Sequence, residues 1–501
     1  MTAFAIAGGH SVTCEAAEDA LRAGGTAVDA VIAGALAAMV AEPVLAGLLG
    51  GGFLMVRDPG GRAHLLDFFV QTPLQRRSIS NLDFRAIQAD FGNATQEFHV
   101  GAGAIAVPGV APGLAEAHAR FGRVPMPVLA EPACTAARSG VTISEYQAKL
   151  GEIVGAILKD SPESRSLFCS EGEPLPAGAV WKNPALADVL EVYAQEGPRF
   201  VTEGEIAQSL LELAGNGGHL QAEDLRTYRP EWRTPLTFDR SGARIWLNPP
   251  PSLGGSLIAF ALQILPREPS MLALTAVLEA TARARIEAAI DDGNTARLFS
   301  PDLLQRYRRE VAGQVSTRGT THISVIDGEG MGAALTLSNG EGCGLIAPGT
   351  GIMPNNMLGE EDLMPRGFDD WNPGQRLASM MAPMAVGWPD GRIAMLGSGG
   401  SNRIRTALAQ VLVHILDRGA KLADAIEEPR VHAETGDPPA IDFEDLAGEE
   451  TREILLGAWP EARAWPDRSM FFGGVHGVMR DARGGLDAAG DPRRAGVARI
   501  G

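Results

Sequence analysis

The chain has 501 residues, 45% hydrophobic and 21% charged, with a formal net charge of −18. This is the composition of a globular protein with a large core, and so acidic a surface argues against a nucleic-acid partner. Cys14, Cys134, Cys169 and Cys343 are scattered with no CxxC pair, which predicts reduced thiols rather than a disulfide framework or a metal site.

The N-terminus, MTAFAIAGGHSVTCEAAEDA, carries no basic stretch followed by a long apolar one, so no signal peptide and a cytoplasmic location are expected. The most apolar run, Val31 to Val40, lies between Asp29 and Glu42-Pro43 and is too short to span a bilayer. Residues 13–41 read as two helices. The first ends at Gly24-Gly25, and the second starts at Thr26 with Asp29 three residues on, a capping pattern. Phe53 to Val56 and the segment HLLDFFV read as two strands joined through Asp58 to Gly61. Residues 110–230 are mostly helical in pattern, with a short capped helix from Ala222. Ala243 to Ser256 reads as a strand entering a Pro-rich turn and a Gly pair, and helices are expected from Leu257 to Val311.

The pattern changes at Thr320. THISVID and MGAALTLS alternate like paired strands, with Asp327 to Gly330 as their turn. GRIAMLGSGGSNRI then reads as a strand, a Gly-rich turn and a helix from Arg403 to Arg418. Such a turn can hold an anion with backbone N–H groups. Thr320 follows Gly319 and opens a strand. A threonine freed at its α-amine can act as a nucleophile with that amine as its base, given backbone donors for the oxyanion. His322 falls on the same strand face as Thr320 and is expected to pack or hydrogen-bond beneath the site. His432 and Glu434 are expected to form an exposed pair. The sequence contains no HExxH, no GxSxG between strand and helix, and no GK[ST] after a Gly-rich loop.

The segments RGTTHISVID, GTGIMPNNM, SGGSNRI and NPPPSLGG, with GGTAVDAVIA, LLGGGFLMV, LDFFVQTP, VPGVAPGL and the tail GDPRRAG, together resemble the γ-glutamyltransferase family, also called γ-glutamyltranspeptidase or glutathione hydrolase. The resemblance runs from residue 8 to about 496. It implies an α+β fold, the four-layer αββα sandwich of the N-terminal-nucleophile hydrolases. It implies a zymogen that cleaves itself between Gly319 and Thr320, into a large segment, 1–319, and a small one, 320–501, that remain in one fold. Thr320 would attack an amide carbonyl, form an acyl-enzyme, and pass the acyl group to water or an amine. Gly399 and Gly400 match the oxyanion-hole pair. Ser338 or Thr336 matches a hydroxyl beside the nucleophile. Asn339, Glu360 and Ser379 match substrate contacts, and Asn355 and Asn356 match a pair that is either a turn or a substrate contact. The expected partners are a small amide substrate and the two fragments of the precursor, without nucleic acid, membrane, cofactor or metal.

The sequence departs from the family pattern at the head of the substrate. Phe69 stands where the family has an arginine for the α-carboxylate, Met357 where it has an acid or amide, and Ala378 where it has the first serine of a pair. A buried carboxylate without its counter-charge costs several kcal/mol in order of magnitude. The expected acyl group is therefore less charged than that of glutathione, unless Arg76 or Arg77 compensates from a shifted position. The alternative reading is a catalytically inactive binding protein on the same fold.

Overall fold

A computed structural model describes residues 3–90, 95–290, 295–307, 320–364, 366–436 and 438–501. Gly319 lies outside the described residues, and Thr320 is the first residue described after 307. The first helix, Ser11–Arg22, is amphipathic, and the second, Ala27–Ala41, is buried along its whole length. Its apolar run therefore reflects a position inside the protein. Thr26 and Asp29 form the expected capping box. Among the described residues no helix is long and apolar enough to cross a membrane.

Both large sheets are wholly antiparallel. The seven-stranded sheet runs Glu231–Arg233, Ala63–Phe68, Gly51–Arg57, Gly332–Ser338, Thr321–Ile326, Ala5–Gly8, Val497–Ile500. The six-stranded sheet runs Leu236–Arg240, Ala243–Leu247, Met384–Gly387, Ile393–Gly399, Gly474–Arg480, Leu486–Ala489. The Thr321–Ile326 strand packs across strands of the second sheet, and helix Ala27–Ala41 covers the first sheet from the other side. Helices Gly254–Ile264, Met271–Glu287 and Arg403–Leu416 form the opposite outer layer. The result is the four-layer αββα sandwich.

This layering explains the chain's polarity pattern. The central strands are buried on both faces, so polar residues on them need partners within the protein. Strands also pair across long sequence distances: Ala5–Gly8 lies between the C-terminal strand and Thr321–Ile326. The chain on both sides of residue 320 therefore builds a single sheet. In the 110–230 region short strand pairs interrupt the helices, such as Val141–Thr142 with Val180–Trp181.

Candidate active site

Thr320 directly precedes the Thr321–Ile326 strand and is 4% exposed. Strand alternation sends Thr320, His322 and Ser324 toward the second sheet, and Thr321 toward the helix layer. His322 is fully buried, with Nδ1 2.7 Å from Thr336 Oγ1 and Nε2 2.8 Å from Ser324 Oγ. Burial, aided by the nearby His476, holds its pKa well below the usual histidine value. A Cβ on Gly397 of the facing strand would overlap the His322 ring. His322 therefore belongs to a neutral hydrogen-bonded ribbon between the sheets, and Thr336 is occupied by that ribbon.

On the opposite face, Thr321 Oγ1 donates to Glu42 Oε2 at 2.8 Å, and Thr13 Oγ1 donates to Glu42 Oε1 at 3.2 Å. Burial pushes the Glu42 carboxyl up to about 7, against the opposing effect of these two hydroxyls.

The strand Ile393–Gly399 ends against Thr320. A Cβ on Gly399 would fall within contact distance of the Thr320 carbonyl oxygen, so only glycine permits this approach. Gly400 follows with φ +116°, and the turn leads into helix Arg403–Leu416. The strand, Gly pair and helix expected from sequence are thus placed against the candidate nucleophile. Arg494 Nη1 also donates to the Thr320 carbonyl, at 3.3 Å.

A cleft with about 470 Å³ of non-atom space, partly open to solvent, joins Thr320 to Ser338, Glu360 and Ser379, together with Phe69, Met357 and Ala378. The structure gathers these seven sequence-selected residues into one wall system from five separate chain segments. Phe69 stacks on Phe53 with ring centroids 5.5 Å apart. Ser379 Oγ accepts from Met381 N at 3.1 Å, while its carbonyl accepts from Leu253 N at 2.8 Å and Ser252 Oγ at 3.0 Å. The Pro-rich NPPPSLGG segment thereby shapes the cleft by bracing Ser379. Sequence reasoning did not single out Leu253, Met381, Ser401, Asn402 or Asp362, which also line it. Asn402 Nδ2 donates to Asp362 Oδ2 at 3.0 Å, and only the SGGSNRI turn and the run after NNM hinted at this pair.

Other expected positions lie elsewhere. Asn339 does not line this cleft: its side-chain Nδ2 donates to the Met353 carbonyl at 3.0 Å, and its Oδ1 lies over Gly47 and Gly50. Asn355 holds Leu49, Ala106 and Met357 backbone groups, and Asn356 accepts from Glu341 N, so this pair braces turns. Arg76 reaches the Asp369 carbonyl and Asp370, and Arg77 donates its backbone N–H to His219. Neither lines the cleft. His432 and Glu434, expected to be exposed, are buried. They lie on strand Val431–Glu434, which packs against helix Arg403–Leu416, and Glu434 pairs with Arg405 at 2.8 Å. Burial brings His432 down to about 4. All four cysteines are free, and burial pushes Cys14 and Cys343 up to about 12.

Comparison with known proteins fits this geometry. The sequence model of the family described as Gamma-glutamyltranspeptidase matches residues 13–500. The chain is 30% identical to an acylase ACY 1 proenzyme of Pseudomonas sp. (strain V22) over 480 residues, covering 89% of this chain and 85% of the relative. It is 28% identical to a glutathione hydrolase proenzyme of Escherichia coli (strain K12) over 523 residues, covering 95% and 88%. Its fold is shared with a crystal structure of cephalosporin acylase from Bacillus halodurans, with a TM-score of 0.83, 24% identity, and coverage of 99% of this chain and 96% of that one. The chain belongs to the gamma-glutamyltranspeptidase family of N-terminal-nucleophile hydrolases.

Proposed function

We propose that Thr320 is the nucleophile of an autoprocessing amide hydrolase or acyl transferase whose substrate is not standard glutathione. Scission of the Gly319–Thr320 bond would leave segments 1–319 and 320–501 in one fold and give Thr320 a free α-amine. That amine takes the proton as Thr320 Oγ attacks the amide carbonyl. The backbone N–H groups of Gly399 and Gly400 stabilise the oxyanion, and Ser338 orients the nucleophile. The amine then returns the proton to the departing nitrogen as the C–N bond breaks. Water or a second amine next attacks the threonyl ester and releases the acyl group. No cofactor enters these steps.

The observation that carries this reading is the convergence of Thr320, Ser338 and Ser379 on one cleft, with Gly399 against the Thr320 backbone. The substrate proposal rests on Phe69, Met357 and Ala378 lining that same cleft, which has no Arg, Lys or His among its described lining residues. An α-carboxylate entering there would lose its hydration without gaining a counter-charge. Glu360 remains as a partner for an ammonium group. Asn339 would act on the substrate only indirectly, through the turn that follows Ser338.

Intact mass of the purified protein, beside Thr320→Ala, tests the chemistry. The expected result is two fragments meeting at Gly319 and Thr320 in the wild type and one chain in the variant. Turnover of butyryl 4-nitroanilide should exceed that of γ-glutamyl 4-nitroanilide, and Thr320→Ala should lower it by roughly a thousand-fold or more. An uncut wild-type chain with no anilide turnover refutes the proposal and leaves a binding protein on this fold.

A further inference from the structure

A second chamber lies beyond the Gly399–Gly400 turn. Its lining includes Gly400, Leu150, Ile153, Trp465, Phe471 and Arg494, and it encloses about 900 Å³ of non-atom space including its mouth. Small-molecule sites combine apolar walls with a few placed polar groups, and this lining has that character. We infer that this chamber is a subsite for the amine half of the amide, selecting an amine that carries a carboxylate on an aromatic body. Assignment to that half rests on Thr320 being the residue that takes the acyl group.

Two observations carry the inference. The first is position. Gly400 lines the chamber and the next residue, Ser401, lines the cleft, so one turn separates the two spaces beside Thr320. An amide carbonyl held at that turn divides its substituents between them, and the residues that match the family's acyl contacts are in the cleft. The second is charge. Arg494 is 7% exposed, and its Nε is buried without a hydrogen-bond partner. Its Nη1 and Nη2 make long bonds, 3.3 Å each, to the carbonyls of Thr320 and Met470, and the buried Tyr146 hydroxyl and Glu42 carboxyl lie near enough to interact with it. The adjacent Arg493 shows what a structural arginine looks like here, with Glu444 at 2.5 Å and Asp491 at 3.3 Å. Among the described residues, no carboxylate stands within ion-pair distance of Arg494. A buried guanidinium facing an apolar chamber is matched by an anion with a planar, bidentate acceptor.

The walls fit an aromatic body. Trp465 and Phe471 stack on each other with centroids 4.7 Å apart, and Arg403 lies over the Phe471 ring at 4.4 Å; the pair still gives the chamber an aromatic wall, suited to edge contacts with a ring. Lys149 adds a second cation at the rim, where it pairs with Glu152 at 3.0 Å. Glu341 also lines the chamber. Lys149 is thus neutralised by Glu152, and Arg494 is the buried cation on the lining that can meet an anion.

Calorimetric titration of the purified full chain with 4-aminobenzoate, and separately with aniline, tests this without requiring turnover. The expected result is at least tenfold tighter binding of 4-aminobenzoate. Arg494→Gln should erase that preference. Ile153→Trp, which puts a larger side chain on the chamber wall, should weaken both ligands tenfold or more. Circular dichroism confirms folding, and the Ile153→Trp result decides the matter if Arg494→Gln does not fold. Equal affinity for the two ligands in the wild type, or binding unchanged by Ile153→Trp, overturns the inference. Binding as expected with no anilide turnover keeps the chamber and removes the amide-cleavage reading. Turnover with no 4-aminobenzoate binding does the reverse.

Discussion

The two cavities beside Thr320 share a turn and differ in charge. The cleft on the Ser401 side has two carboxylates, Glu360 and Asp362, among apolar walls that include Phe69, Met357 and Ala378. The chamber on the Gly400 side has aromatic walls and the buried Arg494. On the proposed reading, a cleft with no cation among its described lining residues and a chamber with one treat substrate charge in opposite ways. On that reading, Thr320 and the turn beside it set where a bond is cut, while the lining of each cavity sets which halves of an amide fit. Substrate selectivity is a difference between such fits.

The largest effect is expected where the two cavities meet. Gly399→Ala would push a methyl group into the Thr320 carbonyl and, on the proposed reading, displace an oxyanion donor. Anilide turnover should fall by roughly a hundred-fold or more, on the scale of losing one such donor. Steady-state kinetics on processed protein would read this, and undiminished turnover would remove Gly399 from the site.

A smaller change should reverse the charge contrast. Phe69→Arg places a guanidinium in the cleft that holds Glu360 and Asp362. Relative kcat/KM for γ-glutamyl over butyryl 4-nitroanilide should rise by about tenfold, from an added carboxylate partner. An unchanged ratio would mean that Phe69 does not set acyl selectivity.

A third effect, on stability and not on turnover, lies behind the strand and should leave the contrast intact. Glu42 has its folded pKa raised to about 7 by burial. A raised carboxyl pKa stabilises the fold fully below the unfolded value near 4.5, and that contribution is lost as pH rises through about 7. The full difference corresponds to about 3 kcal/mol as an upper figure. Thermal denaturation between pH 4.5 and 8 should show this decline in the wild type and a flatter profile in Glu42→Gln. Parallel profiles would show that Glu42 is not the titrating group.

Much of this protein could be read from its residues. The Thr26–Asp29 capping box, the hairpin through Asp327 to Gly330, and the strand, Gly pair and helix around Gly399 are local patterns, and each has the expected form. Thr320, Ser338, Glu360, Ser379, Phe69, Met357 and Ala378 were selected from motifs and share one cleft. Asn339 was also selected and lies against Met353 instead, since one step past the strand's end is enough to turn a side chain away from a face.

What only the tertiary structure decided involves residues far apart in the chain. Arg494 is 174 residues from Thr320, Glu42 is 279 from Thr321, and Trp465 meets Leu150 across one chamber. The burial of His432 and Glu434 was misread because their strand's neighbours come from another layer. Sequence periodicity reports which face of an element is apolar, and turn chemistry reports where it ends. Neither reports which charges meet once two sheets close on each other. In this protein that closure places Arg494 beside Thr320 and the aromatic chamber beyond Gly400.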